Sequence, residues 1–199
     1  PKLGKLNIDE IEKAAVVRLI DNIAKTAPVM ANRTQGLLSH FFNWAVGRGH
    51  ITINPTLSIP KAIKEIPRQR VLSLADMRTI YFSANDLSPA NKLFVQLLLL
   101  TGQRAGVIAK LTQGEWHADH LEIAGNRNKS GQRILVPLPH EAQEKLANVE
   151  YPDGPFLVST PHGLKAISGF SKLKKKIDLL SGVTNWRFHD IRRGIATHL

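Results

Sequence analysis

Between Ile59 and Arg70 the chain reads IPKAIKEIPRQR, and no regular helix or strand runs through such a stretch. Pro60 and Pro67 each lack a backbone N–H and push the residue before them out of the α-conformation. Lys61, Lys64, Arg68 and Arg70 add charge without an amphipathic period. The pattern predicts a basic linker over 61–71, with one body at 1–60 and another at 72–199. A chain of 199 residues is long enough for two small domains.

The two bodies differ in period. In the first, Ile8, Ile11, Ala15, Val16, Leu19, Ile20 and Ile23 recur at helical steps, and Asp9 with Glu12 resembles a capping box. A second helix is predicted after Pro28, burying Leu37, Leu38, Phe41, Phe42 and Ala45 and stopping near Gly47 or Gly49. Trp44 and Trp186 read as packing aromatics. In the second body Ser73 with Asp76, then Ser88-Pro89, open helices, the latter carrying Leu93, Phe94, Leu97 and Leu100. A short helix with Val107, Ile108 and Leu111 follows Thr101-Gly102. Between Trp116 and Pro139 the period shortens toward two, which predicts a β-hairpin turning at GNRNKSG. Helices are predicted again at His140–Val149, at Ala166–Leu180 and from about Trp186 onward. The fold class is therefore mainly α with a small antiparallel β-sheet (α+β).

Charge narrows the partner. Lys plus Arg number 27 against 16 Asp plus Glu, a net +11. Such an excess points to a polyanion, nucleic acid or an anionic membrane face. Cys is absent, which excludes disulfides, thiolate metal sites and a Cys nucleophile, and suits a reducing, cytoplasmic setting. The apolar run around Leu93–Leu100 is far shorter than the roughly 20 residues of a membrane span, so no membrane partner is expected. The chain begins at Pro1 without Met and ends within a helical pattern, and it reads as a fragment.

In three stretches, basic residues stand where packing alone does not call for them. They are Thr101-Gly102-Gln103-Arg104 after a buried helix, Asn128-Lys129-Ser130-Gly131 at a hairpin tip, and His189-Asp190-Ile191-Arg192-Arg193, whose His189 and Arg192 share a helical face. Together TGQR, NKSGQRILVPL and HDIRRGIATHL resemble the motifs of the tyrosine recombinases, the phage-type integrases in particular. Upstream, APVMANRTQGLLSHFFNWAVGRGHITINP resembles the family's helical, SAM-like core-binding domain, so the likeness covers nearly the whole chain.

The resemblance implies a core-binding domain followed by a mixed α/β catalytic domain that lacks its C-terminus. It also implies metal-free cleavage and rejoining of double-stranded DNA through a 3′-phosphotyrosyl intermediate, by a homo-tetramer on paired sites. No cofactor and no metal ligands are assigned; the acids are scattered and show no ligand-like spacing. By resemblance, Arg104 and Arg192 clamp the non-bridging oxygens, Lys129 protonates the leaving 5′-oxygen and His189 assists proton transfer. Arg33, Arg48, Arg68, Arg70 and Lys172 are candidate contacts to backbone phosphates, Arg193 reads as structural or as a further phosphate contact, and His198 reads as structural.

Departures from the pattern bear on the chemistry. Val107 stands where the family carries an acid, and Gln113 where it carries Trp, although Glu115 keeps an acid nearby. Tyr81 and Tyr151 are the only tyrosines, and neither occupies the nucleophile's place beyond the HDIRR helix. This stretch of chain is thus expected to bind DNA without cutting it. The alternative is a non-catalytic DNA-binding protein derived from a decayed prophage integrase.

Overall fold

The computed structural model describes residues 3–66, 68–127, 131–149, 154–160 and 164–198. Two units make up the chain, Pro1–Arg68 and Gln69–Leu199.

In the first unit, helix α1 (Lys13–Ala24) buries Ala15, Val16 and Ile20. It starts later than Asp9 because Ile11 is extended, and the capping box belongs instead to Asn7 and Glu10 around a 3-10 turn, Ile8–Glu10. Helix α2 (Pro28–Gly47) opens with a proline whose missing N–H costs nothing there. Its inner face is Ala31, Asn32, Phe42 and Ala45. Leu37 and Phe41, predicted inside, are 71% and 44% exposed, and Trp44 is half exposed as well. Phe41 lies one position round the helix from Phe42 and stacks on Trp44 with centroids 6.1 Å apart.

Asn32 is a buried amide in an apolar core, and both ends of its side chain are satisfied. Nδ2 donates to Ile63 O at 2.8 Å and to Glu65 Oε1 at 3.1 Å, while Oδ1 accepts from Ala62 N at 2.8 Å. Gln35 Nε2 donates to Ile59 O. The proline-rich segment is therefore irregular, as its sequence requires, yet its first half is strapped along α2. Asn54 closes the turn before Pro55 in the same manner, accepting from Thr56 N at 2.8 Å and donating to Asn43 Oδ1 at 2.7 Å.

In the second unit, α3 (Leu74–Ser83) starts at the predicted Ser73–Asp76 capping box. Helix α4 (Pro89–Thr101) is the centre of the core, with Leu93 through Leu98 all buried. Leu100 is only partly buried at the core's edge. Helix α4 ends because Gly102 is left-handed, φ +62°. The short helix α5 (Ala105–Ala109) buries Val107, Ile108 and Ala109.

Strands β1 (His120–Ile123) and β2 (Ile134–Pro137) form the antiparallel hairpin, with Leu121 opposite Val136 and Ile123 opposite Ile134. Leu121, Ile123 and Val136 face inward, whereas Ile134, at the loop end of the ladder, is 37% exposed. Helix α6 (His140–Ala147) follows. A second ribbon that the sequence pattern did not predict pairs β3 (Ser159–Thr160) with β4 (Lys165–Ala166). It delays helix α7 to Phe170–Ser181, after a left-handed Gly169. Helix α8 (Phe188–His198) starts just beyond the buried Trp186. Phe94, Phe170, Trp186 and Phe188 make an aromatic cluster of edge-on and stacked rings, which joins α4, α7 and α8. No helix among the described residues is long and apolar enough to cross a membrane.

Two substitutions test these arguments. Asn32→Ala removes the strap, so hydrogen exchange at the Ala62 amide is expected to quicken about tenfold, with about 1–2 kcal/mol lost. Unchanged protection would mean that other contacts hold the segment. Gly102→Ala places a Cβ at positive φ and 3.2 Å from Ile195 Cγ2. A loss of about 1–2 kcal/mol is expected in urea unfolding.

Candidate functional site

The TGQR turn is held from both sides. Thr101 Oγ1 donates to Leu97 O at 2.6 Å, and Gly102 N to Leu98 O at 3.0 Å. The chain then extends through Arg104, whose carbonyl accepts from Val107 N and Ile108 N to begin α5. The Arg104 backbone is thus fixed while its side chain is exposed.

Helix α8 presents the other motif. Asp190 is 2% exposed, and its Oδ2 accepts from Arg187 N at 2.9 Å, which closes the helix's first turn. One face of α8 packs closely: a Cβ at Gly194 would lie 2.9 Å from Met77 Sδ and 3.2 Å from Leu72 O. His198 Nε2 donates to Leu72 O at 3.0 Å, the structural role read for it. Arg192 Nη1 donates to Gly102 O at 2.8 Å. This bond brings the guanidinium of Arg192 onto the turn that carries Arg104. His189 is exposed on the first turn of α8, one turn before Arg192. Arg193 lies on the Asp190 side, Nη1 to Oδ1 3.9 Å.

Lys129 lies outside the described residues. Its two basic neighbours on the hairpin are both committed to acids. Arg127 pairs with Glu115 and donates from Nη2 to Val107 O at 3.1 Å. Arg133 Nη2 donates to Glu122 Oε2 at 2.9 Å. Glu115 is further held by Thr112, whose N and Oγ1 both donate to Oε2 at 3.0 Å. The acid that the sequence offers in place of the one missing at Val107 is therefore engaged with the hairpin. Val107 itself is core.

The candidate phosphate contacts separate. Arg33 and Arg48 are exposed, on α2 and at its C-terminal end. Arg68 is partly buried. Arg70 donates to Asp76 Oδ2 at 3.0 Å, so it serves the α3 capping box. Lys172 is exposed in the first turn of α7. Further along α7, Lys174 bonds Asp178 Oδ2 at 2.6 Å and sits 4.4 Å from the centre of the Trp186 ring. Tyr81 donates to Glu141, and burial first, then that carboxylate, pushes its phenol well above the ordinary range.

Sequence reasoning assigned nothing to His117, His120 and Glu122, whose ligand atoms all lie within 4.8 Å of one another. The signal was the spacing, two histidines three apart and a Glu two further on, read across a turn rather than along one element.

Known proteins resemble both units of the chain. Residues 1–62 match the phage integrase central domain, and residues 70–199 match the phage integrase family. The integrase of Escherichia phage HK022 is 26% identical over 138 residues, covering 69% of this chain and 38% of that protein. The prophage integrase IntE of Escherichia coli (strain K12) is 29% identical over 140 residues, covering 69% and 36%. The chain thus spans little more than a third of these relatives. In fold it resembles a lambda integrase (75–356) dimer bound to a COC′ core site, TM-score 0.74 at 20% identity over 96% of this chain and 74% of that one. It also resembles the Tn1549 transposon integrase in complex with circular intermediate DNA, TM-score 0.69 at 16% identity over 100% and 76%. With one family model over the first unit and another over nearly all of the second, the chain belongs to the phage integrase family of tyrosine recombinases.

Proposed function

We propose that this chain forms the DNA-binding and phosphate-activating part of a site-specific recombinase. The observation that carries the reading is the bond from Arg192 to the Gly102 carbonyl, which joins the His189–Arg192 face to the Arg104 turn. Two guanidiniums beside one phosphodiester suit a pentavalent transition state, whose charge gathers on the non-bridging oxygens. Arginine offers a planar fork for those oxygens, which the point charge of lysine does not.

In the proposed reaction a tyrosine oxygen attacks phosphorus, a phosphotyrosyl bond forms and the bond to the 5′-oxygen breaks. That tyrosine lies after the HDIRR helix in the family's pattern. Tyr81 is tied to Glu141 within the second unit and is not assigned the role. Lys129 delivers the proton to the leaving oxygen, and His189 hydrogen-bonds or relays a proton at the same phosphate. Pairing of Arg127 and Arg133 with Glu115 and Glu122 supports Lys129 over its neighbours. The substrate is double-stranded DNA, gripped by phosphate contacts from Arg33, Arg48, Arg68 and Lys172, with Arg70 a weaker candidate because Asp76 already holds it. Four copies act together on paired sites. A second reading, a DNA-binding protein that kept the grip and lost the chemistry, is favoured by the buried Val107 where an acid is expected.

The test uses a protein that carries this chain followed by its tyrosine-bearing segment. Arg192→Ala and Arg104→Ala are each expected to slow formation of the covalent DNA adduct by 10²–10³-fold, about 3–4 kcal/mol. A full-rate adduct in either variant overturns the clamp, and no adduct from the unaltered protein selects the second reading. On the chain itself, DNA affinity is expected to fall with salt by a slope of about −0.9 per phosphate neutralised. Salt-independent binding would remove the phosphate contacts from the account.

A further inference from the structure

We propose that His117, His120 and Glu122 bind a divalent transition-metal ion such as zinc at the foot of the β1–β2 hairpin, a site separate from the DNA chemistry proposed above. The backbone builds the cluster. Trp116 and Leu121 pair as an antiparallel bridge, and His117 N donates to His120 O at 2.9 Å, so 117–120 is a tight turn. Along β1 the side chains alternate: Leu121 and Ile123 go into the core, which sends His120 and Glu122 to the outer face together. The turn folds His117 over the same face, its ring stacked on that of His120 with centroids 4.7 Å apart. His117 Nε2 is 3.9 Å from Glu122 Oε2.

Two imidazoles and one carboxylate are a donor set for zinc, which takes three protein ligands and leaves one position open. Bonds of about 2.0–2.1 Å in a tetrahedron place ligand atoms about 3.4 Å apart. The present spacing, within 4.8 Å, closes to that by rotation of partly or fully exposed side chains. A second observation points the same way. His120 Nδ1 lies 2.7 Å from Asp119 Oδ1, and with Nδ1–H donating to that carboxylate, Nε2 is the ring nitrogen left to ligate. A carboxylate behind a ligand histidine is the usual supporting arrangement in metal sites. An opposing charge comes from Arg133, whose guanidinium bonds Glu122 Oε2 at 2.9 Å and whose side chain is 63% exposed. An arriving cation displaces it into solvent.

A bound ion would cross-link the 117–120 turn to β1 and hold the foot of the hairpin on which Lys129 lies in sequence. The experiment is calorimetric titration of the whole chain with Zn2+ alone, repeated on His117→Ala, His120→Ala, Glu122→Gln and Arg133→Ala. One ion per chain is expected, with binding weakened at least tenfold in the first three variants and tightened several-fold in Arg133→Ala. Co2+ in place of Zn2+ is expected to give the visible absorption of a low-coordinate complex, absent from His120→Ala. The chain has eight histidines, so binding that survives His117→Ala and His120→Ala belongs elsewhere and overturns the assignment. No heat with Zn2+ overturns it as well, leaving an ion-pair network. An Arg133→Ala protein that binds no tighter removes Glu122 from the ligand set, and with it the three-ligand site.

Discussion

One charge-assisted hydrogen bond organises the face that α4 and α8 share in the second unit. Arg192 reaches a carbonyl 90 residues earlier in the chain, and it reaches it because α4 ends at that carbonyl in a left-handed residue. A helix that continued past Thr101 would spend the Gly102 carbonyl within its own ladder. The sharp stop frees the carbonyl as an acceptor and redirects the chain so that Arg104 starts α5. Both arginines are thus placed by how one buried helix terminates.

Behind that contact stands close packing more than charge. Gly194 lets α8 approach Met77 and Leu72 more closely than a side chain there would allow without those neighbours shifting, and Asp190 closes the helix's first turn from a nearly dry position. The guanidinium of Arg192 is therefore carried by a helix with little room to slide. Around the hairpin the same economy of charge recurs, since Arg127 and Arg133 each meet an acid.

Much of this was legible in the residues, for identifiable reasons. Ser73–Asp76 and Ser88-Pro89 mark helix starts through local chemistry, and both hold. The period-two stretch around Leu121 and Val136 does become a hairpin, because alternation leaves few other ways to bury one face. Errors arose where geometry that composition does not show, local or non-local, decided the outcome. Asp9 and Glu12 have the composition of a box, but Asn7 and Glu10 have the geometry. Leu37 and Phe41 are apolar enough for a core, yet the face of α2 is set by where α1 lies against it. The strand Lys165–Ala166 carries no signal of its own and exists only by pairing with Ser159–Thr160. Among the charged residues, the HDIRR helix was readable as a motif, whereas the capture of Arg70 by Asp76 and the meeting of His117, His120 and Glu122 required the folded chain.

The crowding of Ile195 against Gly102 ties two positions far apart in the chain at one point of contact. Position 102 admits a left-handed residue without a side chain, and position 195 is filled by the branched methyl that sits in the space thereby vacated. A larger residue at 195 would press on the junction between α4 and α8, whereas any side chain at 102 is strained by the backbone itself, whatever room position 195 leaves. Position 102 is therefore held to glycine by its own conformation, and position 195 is bounded by the space that glycine leaves.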